Sequence, residues 1–152
     1  MCSQIKATVQ KQMKLAMKAK DKPRLGIIRL IWSEFKRVEV DERIELDDGR
    51  VLAILDRMVK QRRDSARQFA DAGRLDLSDK ENYEISVINE FLPEPLTEDE
   101  IITLIDETIQ NVGSGGMQAM GEVMKLLKPK LQARADIGKV SSLVKAKLIG
   151  SQ

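Results

Sequence analysis

The sequence has no histidine, a single cysteine and five aromatic residues among its 152 positions, and each shortage removes a class of function. Zinc sites are built from cysteine and histidine, so that class is excluded, and a serine or cysteine nucleophile has no imidazole to activate it. Cys2 is read as incidental. One thiol cannot form an intramolecular disulfide, which sets the expected location in the reducing cytosol. No uncharged apolar run approaches the roughly 20 residues that cross a bilayer, and no apolar stretch at the start resembles an export signal. A soluble chain without membrane contact is therefore expected. Trp32, Phe35, Phe69, Tyr83 and Phe91 all precede residue 93. The C-terminal part thus has no stacking platform for unpaired bases, and any nucleic acid bound there is read through phosphates or shape.

What is present is a charge split that the net charge of +2 conceals. Residues 93–118 carry six acidic groups and no basic one, whereas residues 119–152 carry seven basic groups and two acidic ones. The basic groups are Lys125, Lys128, Lys130, Arg134, Lys139, Lys145 and Lys147, offset by Glu122 and Asp136. Clustered like charges sum their potential and suit a polyanion. On composition alone a solvated helix surface explains them more readily.

Apolar residues recur at helical spacing along almost the whole chain, and two-residue alternation is rare, so the fold class is all-α. A first helix is expected over about 4–20, capped by Ser3 and buried through Ile5, Val9, Met13, Ala16 and Met17, with lysines on its other face. Asp21 caps a second helix with Pro23 in its first turn and Leu25, Ile28, Ile31, Trp32 and Phe35 inward, fraying near 38–40. A charged connection, 41–48, leads to a long third helix ending before Gly73, with Val51, Leu55, Met58, Val59, Ala66, Phe69 and Ala70 inward. Ser78-Asp79-Lys80-Glu81 reads as a capping box opening a helix that carries Tyr83, Val87, Ile88, Phe91 and Leu92 inward.

Pro93 and Pro95 disfavour helix on both sides, which places a boundary between domains at 1–92 and 93–152. A second capping box, Thr97 to Glu100, opens a helix with Ile101, Leu104, Ile105, Thr108, Ile109 and Val112 inward. Its acidic first turn has a local cause in the helix dipole. Gly113-Ser114-Gly115-Gly116 is a hinge, Met117, Met120, Val123, Met124 and Leu127 mark a short helix ended or kinked by Pro129, and a last helix follows Asp136.

Chemistry is sparse. The carboxylates of 41–48 lack calcium-loop spacing and suit capping by Asp47 or Asp48. The glycine run follows a helix and lacks the Gly-Lys-Ser/Thr ending of a phosphate loop. Lys60, Arg63 and Arg67 have Asp56, Asp64 and Asp71 at pairing distance along one helix. No catalytic set and no cofactor is indicated.

Five segments carry a resemblance: Met17-Lys18-Ala19-Lys20-Asp21-Lys22 with Arg24-Leu25; Gln61-Arg62-Arg63-Asp64-Ser65; Phe91-Leu92-Pro93; Met120-Gly121-Glu122-Val123-Met124-Lys125; and Arg134-Ala135-Asp136 followed by Val140-Ser141 and Leu143-Val144. Together they resemble the YqeY-like family, small proteins similar to the C-terminal portion of the amidating subunit of the glutamine-dependent aspartyl/glutamyl-tRNA amidotransferase. The resemblance covers nearly the whole chain. It implies an N-terminal helical bundle followed by a small three-helix domain, similar to the part of that enzyme that holds the tRNA body. Gly121, Lys125, Arg134 and Asp136 fall in the matched motifs, with Lys128, Lys130 and Lys139 nearby. Ala133 departs from it, since the family often has glycine there and a left-handed backbone would meet the extra methyl group. The implied partners are tRNA or another structured RNA, with an amidotransferase or aminoacyl-tRNA synthetase supplying chemistry. Carbon–nitrogen ligase activity with glutamine as amide donor follows the family by association, because the enzyme's reacting portions have no counterpart here.

Overall fold

The computed structural model describes residues 3–113 and 116–150; the expectations for Cys2 and for residues 114–115 of the glycine run lie outside them. The fold is all-α, with seven α-helices and no strand among the described residues. The chain divides into two compact units, Met1–Pro93 and Glu94–Gln152.

The first unit holds α1 (Gln4–Lys18), α2 (Lys22–Glu42), α3 (Asp48–Asp71) and α4 (Leu75–Asn89). Ser3 begins α1 by accepting from the Lys6 N–H at 3.1 Å, and Asp21 begins α2 by accepting from the Arg24 N–H at 3.2 Å. Asp47 does the same for α3, accepting from the Arg50 N–H at 2.8 Å. Asp48 has a different task, accepting from the Ser3 hydroxyl and from the Ile5 N–H, so it ties the start of α1 to α3. Val9, Ile28, Ile31, Phe35, Val51, Leu55 and Ile88 form a water-free centre, joined by Ile27, Ile54 and Leu46. Burying each such side chain contributes about 1.5–3 kcal/mol, which is what holds four individually marginal helices together.

Several expectations for this unit need correction. α2 does not fray at 38–40 but continues to Glu42, because Val38 is buried and Glu39 pairs with Lys6 at 2.8 Å. Ser78 is not a cap. α3 ends in a left-handed turn at Gly73, with the Arg74 N–H bonding the Phe69 carbonyl at 2.8 Å, and Arg74 at once begins α4 by accepting from the Ser78 N–H. Ser78 therefore sits buried in the second turn. Tyr83, expected inward, is 39% exposed, while Ile85 packs on the core. Met17 and Ala70, near the ends of their helices, are also exposed.

The second unit holds α5 (Glu98–Val112), a 3-10 turn (Gly116–Ala119), α6 (Met120–Leu131) and α7 (Ile137–Gly150). Thr97 caps α5 as expected, accepting from the Glu100 N–H at 3.2 Å. Ile105, Val123, Leu127, Leu131, Val140, Val144 and Leu148 are its buried centre. Met117 is 42% exposed and so leaves the expected apolar stripe, whereas Met120 and Met124 pack on the core. Pro129 does not end α6, which continues to the fully buried Leu131. The missing proline N–H falls on the exposed side of the helix, where water can bond the carbonyl it leaves free.

Candidate nucleic-acid interface

α6 turns Val123, Leu127 and Leu131 into the core and leaves Gly121, Lys125 and Lys128 exposed. At about 100° per residue these three lie within some 60° of one another, on one stripe. Lys130 is also exposed but is turned by about 140–160° from Lys125 and Lys128, onto the opposite flank. Gly121 has open space where a side chain would stand. Nothing inside the chain therefore requires glycine at a position where alanine favours helix by about 1 kcal/mol. Lys128 and Lys130 lie in the last turn, where cations complement the dipole.

On α7, Lys139 and Lys145 are exposed, and neither they nor Lys125, Lys128 and Lys130 form an ion pair among the described residues. Lys147 differs, lying 3.0 Å from Asp106 on α5. Arg134 differs more. Its Nε donates to the Glu94 carbonyl at 3.1 Å, its own carbonyl accepts from the Leu96 N–H at 2.9 Å, and its N–H bonds Leu131 at 2.9 Å. Two of the seven expected contacts thus have structural occupations.

The motif residues beside Arg134 also have local roles. Asp136 begins α7, its Oδ1 accepting from the Gly138 N–H at 2.9 Å and its carbonyl from the Val140 N–H at 3.0 Å. A Cβ on Gly138 would stand 3.2 Å from that carboxylate, a tight contact that a side chain there would relieve only by shifting the Asp136 carboxylate by a few tenths of an ångström. Ala133 has φ +62°, the left-handed backbone at which its methyl group is a burden.

Elsewhere, the described residues contain no cluster of carboxylates and thiols able to hold a metal ion. A cleft in the first unit, lined by Ser3, Lys6, Gln10, Trp32 and Leu46, has its hydroxyl and amine already engaged with Asp48 and Glu39. Of the charge pairs expected on α3, Lys60 meets Asp56 at 3.0 Å, but Asp64 and Asp71 pair with no base among the described residues. The Arg62 of that motif instead bonds Glu84 on α4 at 2.8 Å, with both side chains 15% exposed.

The model of the YqeY-like protein family matches residues 6–148. The chain belongs to that family. Relatives of this YqeY-like chain include an uncharacterized protein of Schizosaccharomyces pombe, 30% identical over 90 residues, 59% of this chain and 73% of the relative. Two others are named altered inheritance of mitochondria protein 41, mitochondrial. The one from Candida glabrata is 37% identical over 89 residues, 57% of this chain and 49% of the relative. The one from Pyrenophora tritici-repentis is 29% identical over 125 residues, 79% of this chain and 69% of the relative. The chain thus spans about half the length of the Candida glabrata protein. No helix among the described residues is long and apolar enough to cross a membrane. The cytosolic expectation gains no support from relatives that are named as mitochondrial.

Proposed function

We propose that this YqeY-like chain is a non-catalytic RNA-holding module, with tRNA or a similarly folded RNA as its ligand and any amide transfer carried out by a protein partner. The observation that supports this is the set of exposed cations without ion-pair partners on α6 and α7, in a unit whose acidic residues gather on α5. Lysine offers phosphate a compact point charge, and no aromatic residue is present in that unit to read bases by stacking. Arg134 serves the scaffold through its Nε and backbone, and its charge, with no carboxylate paired to it among the described residues, adds to the same positive field. Gly121, bare on the same stripe as Lys125 and Lys128, lets a backbone as bulky as RNA approach α6 closely. The relatives named as mitochondrial favour that compartment for this chain, and fractionation of the host cell tests it.

Titration of unmodified tRNA at several salt concentrations tests the reading. The wild-type affinity falls steeply with salt, and replacing Lys125, Lys128 and Lys130 by alanine weakens binding and reduces the log–log salt slope by about 2–3. Equal affinity and equal slope in wild type and variant would refute it.

A further inference from the structure

We propose that the exposed lysine stripe of α1, continued through the turn into α2, is a second RNA-phosphate-binding surface, located in the first unit. The identity of the ligand rests on the RNA reading above; the surface itself is argued independently. Residues 3–33 contain eight basic groups and one acidic group, a steeper excess than that of the C-terminal segment. Folding neutralises two of the eight, Lys6 through Glu39 at 2.8 Å and Arg24 through Glu90 at 2.6 Å. The one acid, Asp21, is occupied as the cap of α2. That leaves Lys11, Lys14, Lys18, Lys20, Lys22 and Arg29, all exposed and without an ion pair among the described residues.

Their placement is ordered. Lys11, Lys14 and Lys18 stand at i, i+3 and i+7, within about 60° around α1 and about 10 Å along it. The mutual repulsion of these lysines opposes folding; elsewhere in this unit Arg37, Arg50, Arg57, Lys60 and Arg62 relieve theirs by pairing, while Arg43, Arg63, Arg67 and Lys80 stand without an ion pair among the described residues. At the turn the Lys20 N–H bonds Met17 at 3.2 Å and the Asp21 N–H bonds Ala16 at 3.1 Å, a helix-ending geometry whose left-handed residue is ordinarily glycine. Here that residue is Lys20, with φ +55°. A side chain is held where none is favoured, and it carries a charge at the tip of the hairpin.

Charge complementarity names a polyanion, and the apolar residues select RNA over the other polyanionic surfaces. An interfacial membrane helix needs its apolar face outward, but Val9 and Ala16 are buried and Ile5 and Met13 pack on the core. Leu15 and Met17, half-exposed, lie on opposite flanks of the stripe and do not form a face. A protein interface is centred on buried aromatic or apolar anchors, and the stripe contains none. Lysines alone at helical intervals match a phosphate backbone.

The test uses the full chain, fluorescent tRNA, phosphatidylserine-containing vesicles and polyglutamate as competitor. Changing Lys11, Lys14 and Lys18 to alanine favours helix, so the fold persists, and tRNA affinity falls by about an order of magnitude with a salt slope smaller by about 2–3. Lys20→Gly separates structure from binding: its urea midpoint rises while its tRNA affinity falls. If the α1 triple variant binds like wild type while the Lys125, Lys128 and Lys130 variant weakens, this surface is overturned and the reading of the second unit stands. If the α1 variant weakens while the α6 variant does not, the reading of the second unit fails and this surface stands. Wild-type binding to vesicles but not to tRNA, or displacement of tRNA by polyglutamate at equal charge, overturns RNA as the partner.

Discussion

Ala133 shows how a single backbone angle can link sequence and structure. The departure from glycine is visible in the sequence, and the structure places this alanine at φ +62°, between the buried end of α6 and the Arg134 contacts with Glu94 and Leu96. Replacing Ala133 by glycine removes the left-handed penalty, partly offset by the freer unfolded chain, and is expected to stabilise by up to about 1 kcal/mol. An increase in urea midpoint with unchanged slope checks this, and a decrease sinks it. Ser78 teaches the opposite lesson. Its capping-box pattern is sound chemistry, but Arg74 already supplies the carbonyl that begins α4, so the helix starts four residues earlier and the hydroxyl is carried inside.

At the scale of elements, caps that act within three residues of themselves were legible at Ser3, Asp21, Asp47 and Thr97, because a side chain needs only its own neighbours to bond those amides. The length of α2 was not. Its last turns are held from outside by Lys6 of α1, which bonds Glu39 at 2.8 Å and lies over Trp32, 5.4 Å from the ring centre. That bond, with Lys36 nearby and a backbone bond from Leu46, holds the Glu39 carboxyl below the usual carboxylate range against the opposing effect of burial. A depressed carboxyl stabilises the fold above its unfolded pKa of about 4.3, and the contribution is lost as pH falls through the depressed value. Glu39→Gln is therefore less stable than wild type near neutrality, and the difference shrinks as the pH is taken from about 6 to about 2. Urea midpoints across that range check it; a constant difference would show that Glu39 acts through packing alone.

At the scale of the whole molecule, nearly all the buried apolar side chains among the described residues gather in two clusters, one in each unit. Leu127→Ala opens a cavity in the second cluster and is expected to cost about 3 kcal/mol there. Hydrogen exchange should accelerate across residues 94–150 and keep its rates at the α2 and α3 core amides; uniform acceleration through both clusters would contradict separate cores. The candidate interface was legible as a count of charges and not as a surface. Helical phase places Lys130 away from Lys125 and Lys128, Asp106 takes up Lys147, and Arg134 turns to the Glu94 carbonyl. The α1 lysines were visible as a polar face, but with twelve cations spread through α2–α4, which of them lack partners is a tertiary question. By itself the sequence determined the helical class, the positions of most helix starts and the residues that seek the interior, because periodicity and capping act over a few residues. The tertiary structure alone decided which charges remain unpaired and therefore available to a ligand, because an ion pair joins side chains that only packing brings within 4 Å.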